Sequence, residues 1–176
     1  MDRNREGRGL RIRSFRESDR EAVVAITLLA FPGVAIDHAI EERFGTVGGL
    51  TWQDRKRRDI ERDLDLHAPH TLVAEMEGRV VGYVTSHPDP LSRIGWIPNL
   101  AIHPEYQGRG IGRELLEAAL EQFRRLGMAL AKIETLAHNE RALHLYQELG
   151  FVEVARQVHL VRPLERSEPG AEGPGV

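Results

Sequence analysis

At 176 residues with 41% hydrophobic side chains, the chain suits one globular domain with a sizeable core and leaves no room for a second full one. A net charge of −3 gives no basic face for nucleic acid, and the lack of cysteine removes disulfides, thiolate metal sites and a cysteine nucleophile. No stretch approaches the ~20 apolar residues of a membrane span and residues 1–9 lack the apolar centre of a secretory signal, so a cytoplasmic protein is expected.

Residues 1–9 and 166–176 are charged or rich in Gly and Pro, and read as loose tails on a single domain at 10–165. Residues 10–15 alternate apolar and polar, as in a half-buried strand. Ser18 and Glu21 form a capping-box pattern ahead of Val23, Ile26, Thr27 and Ala30, which repeat at helical spacing until Pro32. In the stretch 33–70 a second capped segment starts at Thr51 and runs to Leu64. Its apolar stripe is thin (Trp52, Ile60, Leu64), as on a solvated surface helix, with a basic run at 55–58.

Residues 71–76 and 79–86, joined by Glu77 and Gly78, form a hairpin. A strand at 94–102 follows, then a helix with Leu115, Leu116, Ala119, Leu120 and Phe123 on one face and Gly127 as its left-handed cap. Residues 129–136 read as a strand, 140–149 as a helix, and 151–155 with 158–161 as final strand material. This order gives a mixed sheet flanked by helices, with no internal repeat.

The densest chemical signal lies where the strand at 94–102 passes through a glycine-rich turn into a helix, ending an apolar strand where open α/β sheets place ligands. Gly108, Gly110 and Gly112 are expected to free the backbone there, and the helix from about Ile111 adds unpaired amides and the positive end of its dipole. The result is a pyrophosphate cradle. Neither the dinucleotide nor the nucleoside-triphosphate spacing is present.

The spacing Gln107-x-x-Gly110-x-Gly112 resembles the acetyl-coenzyme A signature of the GNAT superfamily of N-acetyltransferases. Asn139, Ala142, Tyr146, Gly150 and Phe151 resemble that superfamily's downstream block, N-x-x-A-x-x-x-Y-x-x-x-G-F. The resemblance implies an α/β (α+β) fold with a mixed, largely antiparallel sheet and about four flanking helices. It also implies acetyl-CoA as co-substrate, held by Leu100, Ala101, Ile102, Gln107, Gly108, Arg109, Gly110, Ile111, Gly112, Arg113, Asn139 and Tyr146. The backbone of residues 100–102 would pair with the pantetheine arm and polarise the thioester carbonyl.

Asn139 also reads as a helix N-cap, with Tyr146 two turns further on the same face. A neutral Tyr146 can protonate the departing thiolate, or it can be a plain core aromatic. The amine nucleophile must lose a proton, and Glu134 is the candidate base. Its spacing to Asn139 and Tyr146 is similar to that of the branch acetylating the N-terminal alanine of a ribosomal protein, and partial burial would activate it. Elsewhere in the superfamily a glutamate stands where this chain has Pro98, which instead breaks strand pairing and opens the sheet.

His103 and His138 lie near the motifs, and no spacing suggests metal ligation. Ala30, Phe31 and Pro32 resemble a segment of the ribosomal alanine branch and point to a protein N-terminus as acceptor. An acidic pocket of Asp37, Glu41, Glu42 and Asp63 would favour a small polycationic amine, and a non-catalytic acyl-CoA sensor is the third reading. The span 151–164 is short for two strands, so pairing with a second copy, a homodimer, would complete the sheet.

Overall fold

The computed structural model describes residues 9–164 together with the backbone of Arg3–Arg5; the expected tail at 166–176 lies outside the described residues. Thirteen elements follow in order: β1 (Arg3–Arg5), β2 (Leu10–Ser14), α1 (Arg20–Ala30), α2 (Ile36–Phe44), α3 (Trp52–His67), β3 (Leu72–Met76), β4 (Arg79–Val84), β5 (His87–Asp89), β6 (Ile94–Ile97), β7 (Leu100–Ile102), α4 (Ile111–Arg125), β8 (Leu130–Ile133) and α5 (Glu140–Glu148). They form a sheet ordered β1-β2-β3-β4-β7 and a second ordered β5-β6-β8. Every pairing is antiparallel except β6 with β8.

Helices cover both faces of the larger sheet. On one, Val23, Val24 and Ile26 of α1 and Ile60 and Leu64 of α3 close over Val73, Tyr83 and Ala101. On the other, Ile111, Leu115, Leu116, Ala119 and Phe123 of α4 pack on Leu10, Ile12, Ala74, Val81 and Val84. The thin stripe of α3 is therefore wholly buried, with Ile60 and Leu64 at 0% exposure, and this helix is no solvated surface element. Thr51 caps it as expected: its Oγ1 accepts from Asp54 N at 3.2 Å, and Asp54 Oδ2 accepts from Thr51 N at 2.9 Å. Glu77 and Gly78 turn the β3–β4 hairpin with φ of 50° and 76°, the two left-handed residues such a turn requires.

Burial on both faces corrects the strand pattern at residues 10–15. Arg13 does not point to solvent. It is buried, donates to both carboxylate oxygens of Asp19 at 2.6 and 2.9 Å, and reaches Glu75 Oε2 at 2.8 Å. Asp19 also accepts from Arg16 N at 2.8 Å, closing a 3-10 turn at Glu17–Asp19. That turn, rather than a Ser18–Glu21 capping box, starts α1.

Three other differences concern elements. Arg3–Arg5, read as tail, pairs with β2. The stretch 33–70 holds α2 as well as α3; α2 buries none of its residues fully, so no apolar period marks it. Residues 151–164, read as final strand material, carry no regular secondary structure, and Val152, Val154, Val158 and Leu160 stand exposed. Among the described residues, no helix is long and apolar enough to cross a membrane.

Candidate active site

The strand predicted over 94–102 is broken at its centre. β6 ends at Ile97, β7 begins at Leu100, and Pro98 in the gap has no N–H to give to a ladder. Before the break, Ile94 to Ile97 pair in parallel with Leu130 to Ile133 of β8. After it, β7 pairs only with β4 among the described residues.

β7 and the continuation of β8 thus part like the arms of a V. Thr85 N donates to Asn99 O at 2.9 Å and His103 N to Val81 O at 2.9 Å. By antiparallel alternation, the polar groups of Leu100 and Ile102 then point away from β4, into the V. Gln107 Nε2 already uses this edge, donating to Ile102 O at 3.1 Å.

The turn at the mouth of the V is built as a cradle. Gly108 and Gly110 have φ of 79° and 81°, the left-handed region where a Cβ is strained, and Gly110 is the N-cap of α4. Gly112 differs from expectation: it lies in the first turn of the helix without a left-handed φ, and a Cβ there would be 3.5 Å from Leu145 Cδ2 in ordinary contact. The opening amides of α4, at Ile111, Gly112 and Arg113, precede the first intrahelical donor and are oriented for an anion. α5 is tied to this turn by Arg113 with Glu148 and by Arg141 Nη1, which donates to Gln107 Oε1 at 2.5 Å. Arg109 lies over the Tyr106 ring, 5.0 Å from its centroid.

Asn139 caps α5: its Oδ1 accepts from Ala142 N at 3.3 Å, and its Nδ2 donates to Thr135 Oγ1 at 3.0 Å. Tyr146 packs on the α4 side of the core beside Phe151, and burial pushes its phenol up to about 12. Glu134 does not meet the expected burial. It lies just past the end of β8, its side chain 54% exposed and 3.2 Å from Lys132 Nζ. His138 Nε2 bonds Gly33 O at 2.7 Å, joining the loop after α1 to the loop before α5, while His103 Nδ1 accepts from Glu105 N.

The opposite face of the break, under α3, carries a polar cluster that no sequence spacing revealed. Asp63 bonds His87 Nε2 through one oxygen and accepts from Asn99 Nδ2 at 2.8 Å through the other. Lys56 Nζ donates to Asn99 Oδ1 at 3.0 Å and stands 4.4 Å from the Phe31 ring centroid. The His67 and His87 rings stack at 3.5 Å. Burial works to raise the Asp63 pKa, yet the bonds from His87, Thr85 and Asn99 outweigh it and hold the carboxylate below its ordinary range. Burial, and then the neighbouring His87, lower His67; burial also lowers Lys56 against the pull of Asp59, Asp37 and Asp63.

These residues come from α3, β5 and the β6–β7 gap; the sequence singled out Asp63 only as part of an acidic pocket, and the i, i+4 placement of Asp63 and His67 on α3 is the local signal that could have drawn attention to them. The expected acidic pocket is not formed as four free carboxylates. Asp37 and Glu41 hold Arg55 and Glu41 also accepts from Trp52 N; Glu42 stands beside His38; Asp63 is spent in the cluster. The basic run at 55–58 is likewise dispersed, with Arg55 bonded to Asp37 of α2 and Lys56 turned inward.

The model of the acetyltransferase (GNAT) family matches residues 35–151, which take in the broken strand, the cradle and α5. The chain is a member of the GNAT acetyltransferase family. Its relatives include a mycothiol acetyltransferase of Propionibacterium freudenreichii, 32% identical over 85% of this chain and 45% of that protein. This GNAT chain therefore spans less than half the length of that relative.

Among solved structures, the PaiA N-acetyltransferase of Thermoplasma acidophilum, in complex with coenzyme A, shares the fold at a TM-score of 0.65 and 17% identity, covering 81% of this chain and 89% of that one. The ribosomal-protein-S18-alanine N-acetyltransferase of Escherichia coli shares it at 0.62 and 21%, covering 83% and 79%. The mixed, mostly antiparallel α/β fold expected from the GNAT resemblance is thus present, with five α-helices among the described residues.

Proposed function

We propose that this GNAT chain transfers the acetyl group of acetyl-CoA directly to a primary amine. The observation that carries the reading is the one-sided pairing of β7 beside a left-handed glycine turn at the start of α4. That arrangement offers strand-like backbone groups for an extended pantetheine arm and helix-terminal amides for its pyrophosphate, so the residues present fit the co-substrate. Leu100, Ala101, Ile102, Gln107, Gly108, Arg109, Gly110, Ile111, Gly112, Arg113, Asn139 and Tyr146 form the binding set.

The amine attacks from the α3 face; its N–C bond forms as the C–S bond breaks. An N–H of β7 steadies the charge gathering on the carbonyl oxygen, and Tyr146, kept neutral by burial, returns a proton to the leaving sulfur. Glu134, open to solvent at the end of β8, takes the amine proton directly or through water.

The acceptor is a protein N-terminal α-amine in the reading favoured by the segment Ala30, Phe31 and Pro32, where Phe31 lies against Lys56 at the edge of the α3 face. A second reading, a small-molecule amine, is favoured by the likeness to proteins named for mycothiol. With Asp37, Glu41 and Asp63 committed to internal partners, a polycation has little to bind. Incubation with acetyl-CoA and a panel of N-terminal peptides, lysine peptides, polyamines and amino sugars, read by mass spectrometry, tests both. A peptide acetylated at its α-amine is expected; a product on a small amine alone selects the second reading, and no product despite acetyl-CoA binding selects a sensor.

A further inference from the structure

We propose that Asp63, His67 and His87 form a binding site for a divalent transition-metal ion of the zinc type. One carboxylate oxygen and one nitrogen from each ring all lie within 4.8 Å of one another. A tetrahedral ion with bonds of 2.0–2.2 Å holds its ligand atoms about 3.4 Å apart, so closure asks for a side-chain adjustment on the order of 1 Å. Imidazole nitrogen and carboxylate oxygen are the donors such an ion selects, and three protein ligands leave the fourth position open to water or substrate.

The support around the ligands matches that of a metal centre. Asp63 and His67 lie one turn apart on α3, so the helix presents both from one face, and β5 supplies His87 from across the cluster. Asn99 Nδ2 donates to the second oxygen of Asp63 at 2.8 Å and is itself held by Lys56, which fixes the carboxylate in the way outer groups fix a metal ligand. The Trp96 ring stands edge-on to His87 at 5.2 Å and limits its rotation. The adjusting member is His67: its ring now stacks on His87 with 23° between planes, and it must swing out of that stack for both nitrogens to reach one ion. Binding replaces the Asp63–His87 hydrogen bond by a bond from each group to the ion, and the proton of that hydrogen bond passes to the other ring nitrogen of His87 or to solvent.

The test is equilibrium dialysis of the chelator-stripped protein against zinc alone, with metal quantified by mass spectrometry, and cobalt substitution followed by absorption. One equivalent of zinc at micromolar affinity or better is expected, with visible cobalt bands of four-coordinate character. His67→Ala and His87→Ala should each weaken binding at least 100-fold, while His38→Ala and His70→Ala leave it unchanged. His67→Gln serves as the second variant if the alanine change unfolds the chain, as judged by circular dichroism. Zinc uptake no greater than that of the His67→Ala/His87→Ala double variant, or uptake indifferent to both changes, overturns the proposal whether or not the chain acetylates an amine.

Discussion

Tyr146 carries the sharpest expectation at the scale of single residues. Its phenol, pushed up to about 12 by burial, stays protonated through neutral and mildly alkaline pH, so it contributes no alkaline limb to the rate profile there. Tyr146→Phe keeps the ring and removes only the proton donor. Turnover should fall by roughly 10²–10⁴-fold, the usual reach of one acid–base group, while acetyl-CoA affinity from calorimetry is unchanged. Turnover left unchanged would make Tyr146 a core aromatic, and equal loss of turnover and affinity would make its hydroxyl a co-substrate contact rather than an acid. Gly110→Ala places a Cβ at φ +81° and should cost about 1–2 kcal/mol at the turn, seen as a raised KM for acetyl-CoA with a smaller change in kcat. The glycine turn could be read in advance because its conformation is local, whereas the solvent exposure of Glu134 depends on where β8 stops, which the apolar run at 129–136 does not mark.

Among the elements, the start of α1 depends on the buried Arg13–Asp19 pair. Burial alone would raise the Asp19 pKa, but the bonds from Arg13 and from Arg16 N hold it below the ordinary carboxylate range. A depressed carboxylate contributes stability that is full above its unfolded pKa near 4 and is lost as pH falls through the lower folded value. Asp19→Asn should therefore cost about 3–5 kcal/mol near neutral pH, because it strands a buried guanidinium, and the gap from the parent should narrow below about pH 4. Urea midpoints from pH 7 to pH 2 measure this; a gap independent of pH would show that the pair does not carry the stability. Local chemistry announced the Thr51 cap and the Glu77–Gly78 turn. The inward turn of Arg13 was hidden, since it needs Asp19 and Glu75 to be brought to the strand by tertiary contacts that alternation cannot report.

For the whole molecule, the broken strand and glycine turn proposed for acyl-CoA could be picked out as one unit because their residues run nearly continuously from Leu100 to Arg113, with α5 added by a second motif. The α3 face was not, because Lys56, Asp63, His87 and Asn99 meet only after the sheet forms. The segment 151–164 has strand-like sequence but no strand, and it leaves Val154 at 92% and Leu160 at 89% exposure, while β8 pairs with β6 alone among the described residues. An open edge beside an unpaired apolar segment invites pairing between copies. Sedimentation velocity should show a dimer at micromolar concentration that Val154→Lys with Leu160→Lys abolishes; a monomer in both would leave this edge without a role.

The central claim is that the opening between β7 and β8 is the acyl-CoA groove, and backbone hydrogen exchange with and without acetyl-CoA tests it most directly. Slowed exchange is expected at the amides of Leu100 and Ile102, which face the opening, and at those of Ile111, Gly112 and Arg113 at the start of α4. Protection confined to other segments, with these amides unchanged at saturating acetyl-CoA, would contradict it.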